Sequence, residues 1–195
     1  MNLFDSVSDD FQYILDSMGK DIQINGVNAR GLITSTSINQ SYDDKKIKSL
    51  ELIKRGDKIK YLDEVYLITS EINGTRNGKY YGLMRKTNYV ISILTGTERI
   101  DTGQTDNLGR PVYETVNTYS DEPCIVANQT ATVGSTGAIS LPNGNIDMIF
   151  QDNENTQKIA LNNTYTFNGQ SYTVIGFDKT KTGIIIVKCS LTTSN

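Results

Sequence analysis

The sequence predicts a mainly β protein: two small β-barrel or sandwich units, related by internal duplication, behind one short N-terminal α-helix. Three observations predict it. The stretch GDKIKYLDEVYLI (56–68) returns as NNTYTFNGQSYTV (162–174), with Tyr66 and Tyr172, and likewise Ile59 and Tyr165, each 106 residues apart. After the first twenty residues, apolar side chains alternate with polar ones or run in short bursts bounded by Gly, Asn and Asp, which is strand patterning. A chain of 195 residues holds one large or two small domains.

In chain order, LFDSVSDDFQYILDSMG comes first, with Phe4, Val7, Phe11, Ile14, Leu15 and Met18 at three- and four-residue spacing on one helical face. Gly19 suits a left-handed residue ending that helix. The helix packs on its own β-unit or docks on a neighbouring subunit. QINGVNARGLITS follows, its Asn25-Gly26 a strong hairpin signal. Residues 34–49 are polar and largely aperiodic, so they read as an exposed loop. Lysines 45, 46 and 48 within it, broken by acids, read as a solvated face. The segment KYYGLMRKTNYVISIL (79–94) gives one or two long strands. Residues 95–122 carry three glycines, a proline and few apolar residues, and read as a long functional loop or linker. A hairpin centred on Asn107-Leu108-Gly109, with Val112, Tyr113 and Val116 on its return strand, is compatible with them. The second unit opens at PCIVANQTAT and passes through a turn at Pro142-Asn143-Gly144. It ends in KIAL, TYTFNG, SYTVIGF and GIIIVKCSL. The expected organisation is therefore a helix over 1–20, a first β-unit over 21–97 with a loop at 34–49, a linker over 98–122, and a second β-unit over 123–195.

Turn position sets the register of the repeated hairpins. A two-residue loop at Asp63-Glu64 places Tyr61 opposite Tyr66 and Ile59 opposite Ile68. The equivalent loop at Gly169-Gln170 pairs Phe167 with Tyr172 and Tyr165 with Val174. An Asn168-Gly169 turn pairs Tyr165 with Tyr172 instead. The first choice joins every apolar residue to another across the strands, so these tyrosines are expected in the core.

Composition narrows the chemistry. A net charge of −3 with no basic stripe speaks against nucleic-acid binding. The chain has no histidine, which removes the usual general base and the commonest metal ligand. Its glycine-rich pieces lack the ending of a phosphate-binding loop, and DNENT (152–156) lacks the glycine and glutamate of a calcium loop and reads as a turn. Asp9-Asp10 and Asp43-Asp44 have no partner base. Cys124 and Cys189 have no histidine to activate them and read as reduced, strand-borne small hydrophobes, although the sequence leaves a disulfide open, a matter that compartment decides. No apolar run approaches the roughly 20 residues of a spanning helix, and the acidic N-terminus is unlike a secretory signal. The expectation is a protein without catalytic site, metal or cofactor.

The order of these pieces resembles a known group. A helix, INGVNARGLI, the β-unit GDKIKYLDEVYLITS with exit strand KYYGLMRKTNYVISI, and a second unit from PCIV through QDNENTQKIALNNTYTFNGQSYTVIGFDKTKTGIIIV is similar to the head-closure or stopper proteins of tailed bacteriophages. The resemblance covers about residues 11–190 and rests on turn glycines and aromatic alternation. It implies a virion structural protein, assembled in the host cytoplasm, forming a hexameric or dodecameric homo-oligomeric ring below the portal. Such a ring contacts portal or adaptor and tail-completion proteins and passes DNA without sequence-specific binding. It also implies that the polar loops are assembly or channel elements, with Tyr42, Asp43, Lys45 and Lys46 in the first and Thr105, Asp106, Asn107, Arg110 and Tyr113 in the second. Known stoppers of this type often have one β-domain, so the second unit is a departure. A minor tail or tail-completion protein shares the design, and a surface adhesin or carbohydrate-binding module is the alternative of another class.

Overall fold

The computed structural model describes residues 7–36, 44–74, 78–128 and 144–192. Helix α1 (Val7–Met18) leads into β1 (Lys20–Ile24), β2 (Val27–Ser35), β3 (Asp44–Ser49), β4 (Lys58–Tyr61), β5 (Glu64–Ile68), the short β6 (Asn73–Gly74) and β7 (Tyr80–Lys86). A second set follows: β8 (Tyr89–Thr105), β9 (Pro111–Asn128), β10 (Ile146–Gln151), a one-turn 3-10 helix (Thr156–Lys158), β11 (Thr164–Phe167), β12 (Gln170–Asp178) and β13 (Ile184–Leu191). All strand pairs are antiparallel among the described residues.

The duplication extends over the whole sheet. In the first unit the strands run β4-β5-β7-β3-β2-β1, and β1 pairs back onto β4 to close a barrel. In the second they run β11-β12-β13-β10-β9-β8, the same order of equivalent strands. Here the first and last strands meet through side chains: the Tyr89 and Phe167 rings stack edge to face at 5.1 Å, and Asn168 Nδ2 donates to Tyr89 Oη at 3.0 Å. Each interior is filled by inward-facing apolar residues. Ile22, Ile47, Ile53, Ile59, Tyr66, Ile68 and Met84 fill one. Met148, Phe150, Ile159, Phe167, Tyr172, Val174 and Val187, with both cysteines, fill the larger part of the other.

The loop that leads into each repeated hairpin makes the same hydrogen bonds in both copies. Gly56 N–H donates to Ile68 O, as Asn162 N–H does to Val174 O; Lys54 N–H donates to the Asp57 carboxylate, as Ala160 N–H does to Asn163 Oδ1. The turns lie at Leu62-Asp63 and Asn168-Gly169, so the preferred register is corrected in both hairpins. Ile59 faces Tyr66, Tyr61 faces Glu64, Tyr165 faces Tyr172 and Phe167 faces Gln170. Two forces decide this. Asn168 and Gly169 both take positive φ (49° and 80°), the mirror-image turn that matches strand twist. The buried Tyr66 and Tyr172 hydroxyls also need partners, and in this register they donate to Glu64 at 2.7 Å and Gln170 at 2.9 Å.

Other expectations change as well. Residues 98–122 are not a linker: they form the outer part of β8, a turn over 106–110 and most of β9, and the bases of these two strands form two walls of the second barrel. The second unit therefore begins at Tyr89, and KYYGLMRKTNYVISIL splits into β7 and β8. The supposed loop at 34–49 holds the end of β2 and all of β3, whose fully buried Ile47 stands between outward lysines that mask the alternation. Residues 37–43 of that loop, and Pro142 and Asn143 of the expected turn, lie outside the described residues. KIAL is no strand; a 3-10 turn delivers buried Ile159 to the core. Helix α1 packs on β2 of its own unit with Phe11 and Leu15 buried. Gly19 ends it outside the left-handed region, where a Cβ would stand 2.3 Å from the Leu15 carbonyl oxygen.

The barrels are docked along a seam. Leu67 of β5, fully buried, packs against Ile125 and Ile184 of the second unit, with half-buried Ile149 beside them. At one point the backbones touch: a Cβ on Gly56 would lie 1.7 Å from the Gly183 carbonyl oxygen, and one on Gly183 would lie 2.0 Å from that of Arg55. Both glycines have positive φ. Arg55 Nε donates to Thr182 O at 2.9 Å, and Lys58 Nζ pairs with Glu122 at 3.1 Å.

Candidate assembly surface

Beyond its base the β8–β9 ribbon leaves the barrel. Leu94 pairs with Tyr119, a bulge intervenes at Thr95, and Thr97–Asn117 through Asp101–Tyr113 continue the ladder to a second irregularity before Thr105–Pro111. Every residue of 97–119 is exposed. The base is fixed: Lys158 Nζ donates to Thr95 O at 2.7 Å and Asn155 Nδ2 to Ser120 Oγ at 3.0 Å. With a rise of about 3.3 Å per residue, the free ribbon extends for roughly 30 Å.

Its tip is preorganised. Asp106 accepts from the backbone N–H of Leu108 (2.8 Å) and of Arg110 (2.9 Å), and its own N–H donates to Arg110 O at 2.8 Å. Gly109, at φ 76°, turns the chain back. The hairpin centred on Asn107-Leu108-Gly109 is thus present. Behind the tip, the Arg99 guanidinium lies over the Tyr113 ring at 5.0 Å.

The expected site residues divide into two groups. Thr105, Asp106, Asn107, Arg110 and Tyr113 gather on the outer part of the arm. Lys45 and Lys46 sit on β3 of the first barrel, with Lys46 outward and Lys45 over the Tyr66 ring at 5.3 Å. Tyr42 and Asp43 lie outside the described residues.

Sequence reading missed the junction that holds the arm's root. Glu122 is buried yet ionisable, and accepts from Asn155 (2.8 Å), Lys58 (3.1 Å) and Asn153 (3.2 Å). Burial pushes its carboxyl up; the Asn155 and Lys58 hydrogen bonds, the Lys58 charge and Asn153 outweigh that and leave it below the ordinary glutamate range. The turn DNENT supplies both asparagines, so its oxygen- and amide-rich composition serves the seam. No spacing in the sequence links residue 58 or 122 to it.

The cysteines are core groups. Both are free and fully buried. Burial pushes each thiol up to about 12, helped by Cys189 beside Cys124 and by Asp147 near Cys189. Among the described residues, no three His, Cys, Asp or Glu side chains converge as a metal cage, and no helix is long and apolar enough to cross a membrane.

Two family models match this chain: the YomX N-terminal domain over residues 2–86 and the YomX C-terminal domain over residues 87–190. The chain belongs to the YomX family. This family is phage-associated. Its two models meet between β7 and β8, where one barrel ends and the next begins. No curated protein matches the chain. Among solved structures, a K. pneumonia MrkH–c-di-GMP complex aligns over 97% of this chain and 86% of its own, at 8% identity and a TM-score of 0.24, too low to carry an argument.

Proposed function

We propose that this chain is a virion structural protein of a tailed phage that completes the head and joins it to the tail. In this reading it forms a ring of like subunits below the portal, around the DNA channel, and acts by binding rather than by catalysis. The observation that carries the reading is the exposed ribbon over 97–119 on a pair of docked barrels. A two-stranded ribbon alone in water is only marginally stable, yet this one has a hydrogen-bonded tip and exposes Ile100, Val112, Tyr113 and Val116. Such an arm gains its burial from another molecule. Membership of a phage-associated family supplies the setting. The mildly acidic chain gives no counterion-release attraction, so DNA slides past it.

Removing residues 100–118 tests this. The five residues 95–99 then close a hairpin between Leu94 and Tyr119, which already face each other. The barrels stay folded, because the deleted residues belong to neither core. Ring docking, or retention of packaged DNA by particles carrying the variant, is lost. Unimpaired assembly with the shortened arm would overturn the assignment.

A further inference from the structure

We infer that one face of the arm docks on the outer β3–β7 face of the first barrel of a second copy of this chain. The inference rests on the ring reading above and names the two surfaces that make the ring.

Above the bulge, the pairs Glu98–Val116 and Ile100–Glu114 put four side chains on one face of the ribbon. Ile100 is 49% exposed and Val116 40% exposed. Neither glutamate has an ion-pair partner among the described residues. This face is apolar with two unneutralised anions.

The first barrel carries the complement. On its outer surface β3 and β7 pair Lys46 with Leu83 and Lys48 with Tyr81. Leu83 is 37% and Tyr81 40% exposed, and neither lysine has an ion-pair partner among the described residues. Next along the ladder Asp44 is already neutralised by Arg85 at 2.7 Å, so among the described residues this part of the face presents a net positive charge. Lys46 and Lys48, two residues apart on one strand, are separated by about 7 Å. Glu98 and Glu114, diagonal across the ribbon, are separated by about 7–8 Å. Two cations side by side on β3, with Leu83 and Tyr81 beside them on β7, thus face two anions at opposite corners of the arm face with Ile100 and Val116 between them, at a comparable charge separation.

The two surfaces are different patches on one chain. Contact between them is head-to-tail, the kind that closes into rings when the rotation permits. Opposed charges set its register and its salt sensitivity.

The test uses the full chain in sedimentation velocity at low and high salt. Reversing the arm charges (E98K with E114K) or the barrel charges (K46E with K48E) weakens self-association by roughly ten- to a hundredfold. Combining all four reversals restores it, and added salt weakens the wild-type assembly. An assembly that either double reversal leaves intact, or that the fourfold variant fails to recover, overturns the docking while the ring reading stands. A wild-type chain that is monomeric at its highest soluble concentration also overturns the docking. The ring reading falls with it only if the chain forms no ring in purified particles.

Discussion

Replacing Gly183 by alanine probes the seam between the barrels, and the duplication supplies its own control. Gly183 and Gly78 precede the equivalent strands β13 and β7, 105 residues apart, and both have positive φ (88° and 66°). Alanine at either position carries the left-handed backbone cost, roughly 1–2 kcal/mol. At Gly78 nothing lies within 4 Å of the added carbon, so the cost stops there. At Gly183 the carbon would meet the Arg55 carbonyl oxygen at 2.0 Å. Both atoms are fixed to backbone, and reaching ordinary contact near 3.5 Å parts the barrels by more than about 1 Å. A gap of that size forfeits about half of each dispersion contact, across three buried side chains each worth roughly 1.5–3 kcal/mol. Leu67, Ile125 and Ile184 are those side chains, and the Arg55–Thr182 hydrogen bond loosens with them. Gly183→Ala should therefore cost about 3–5 kcal/mol in total, against about 1–2 for Gly78→Ala. Urea unfolding followed by circular dichroism measures both. A difference between the two variants below about 0.5 kcal/mol would refute the reasoning, because that lies within ordinary additivity error.

Other perturbations follow from the same geometry. Glu122→Ala leaves Lys58, Asn153 and Asn155 without their shared acceptor and costs about 2–4 kcal/mol, less than a fully enclosed pair because Lys58 is partly exposed. The folded-state pKa of Glu122 is depressed, so the ionised group stabilises fully above the ordinary glutamate value of about 4.3 and progressively less as the pH falls below it. Glu122→Gln should lose that part of the pH dependence; equal acid profiles for variant and wild type would contradict it. Tyr66→Phe and Tyr172→Phe should each cost about 1 kcal/mol by thermal unfolding, since Glu64 and Gln170 keep access to water. Losses above about 3 kcal/mol would mean the hydroxyls do more than satisfy themselves. Native protein should leave a thiol reagent unreacted at pH 8 and show two titratable thiols in denaturant, because both sulfurs are buried with pKa near 12. Rapid labelling of folded protein would contradict that.

The fold was legible where one face of a strand is buried. The 106-residue repeat, the Asn25-Gly26 hairpin and the aromatic face were all visible, because burial imposes period two on sequence. The arm was hidden for the converse reason. Both faces of 97–119 meet solvent, so ERIDT and VYETV show polar and apolar residues in near-equal mixture, and only the turn at Asn107-Leu108-Gly109 gave a local signal. Strand β3 was hidden by the lysines on its outer face, with Ile47 the one large apolar residue between them. The register error arose from weighing apolar cross-strand pairs above the hydrogen bonds that buried phenols require. The seam was out of reach altogether: Lys58 meets Glu122 only because two barrels dock, and no local pattern encodes that.

Electron cryomicroscopy of an intact particle tests the central claim most directly. The account requires double-barrel density in a symmetric ring between portal and tail, each arm lying across the first barrel of the neighbouring subunit. Density farther down the tail would make the chain a tail-completion or minor tail component. Its absence from purified virions would contradict the account.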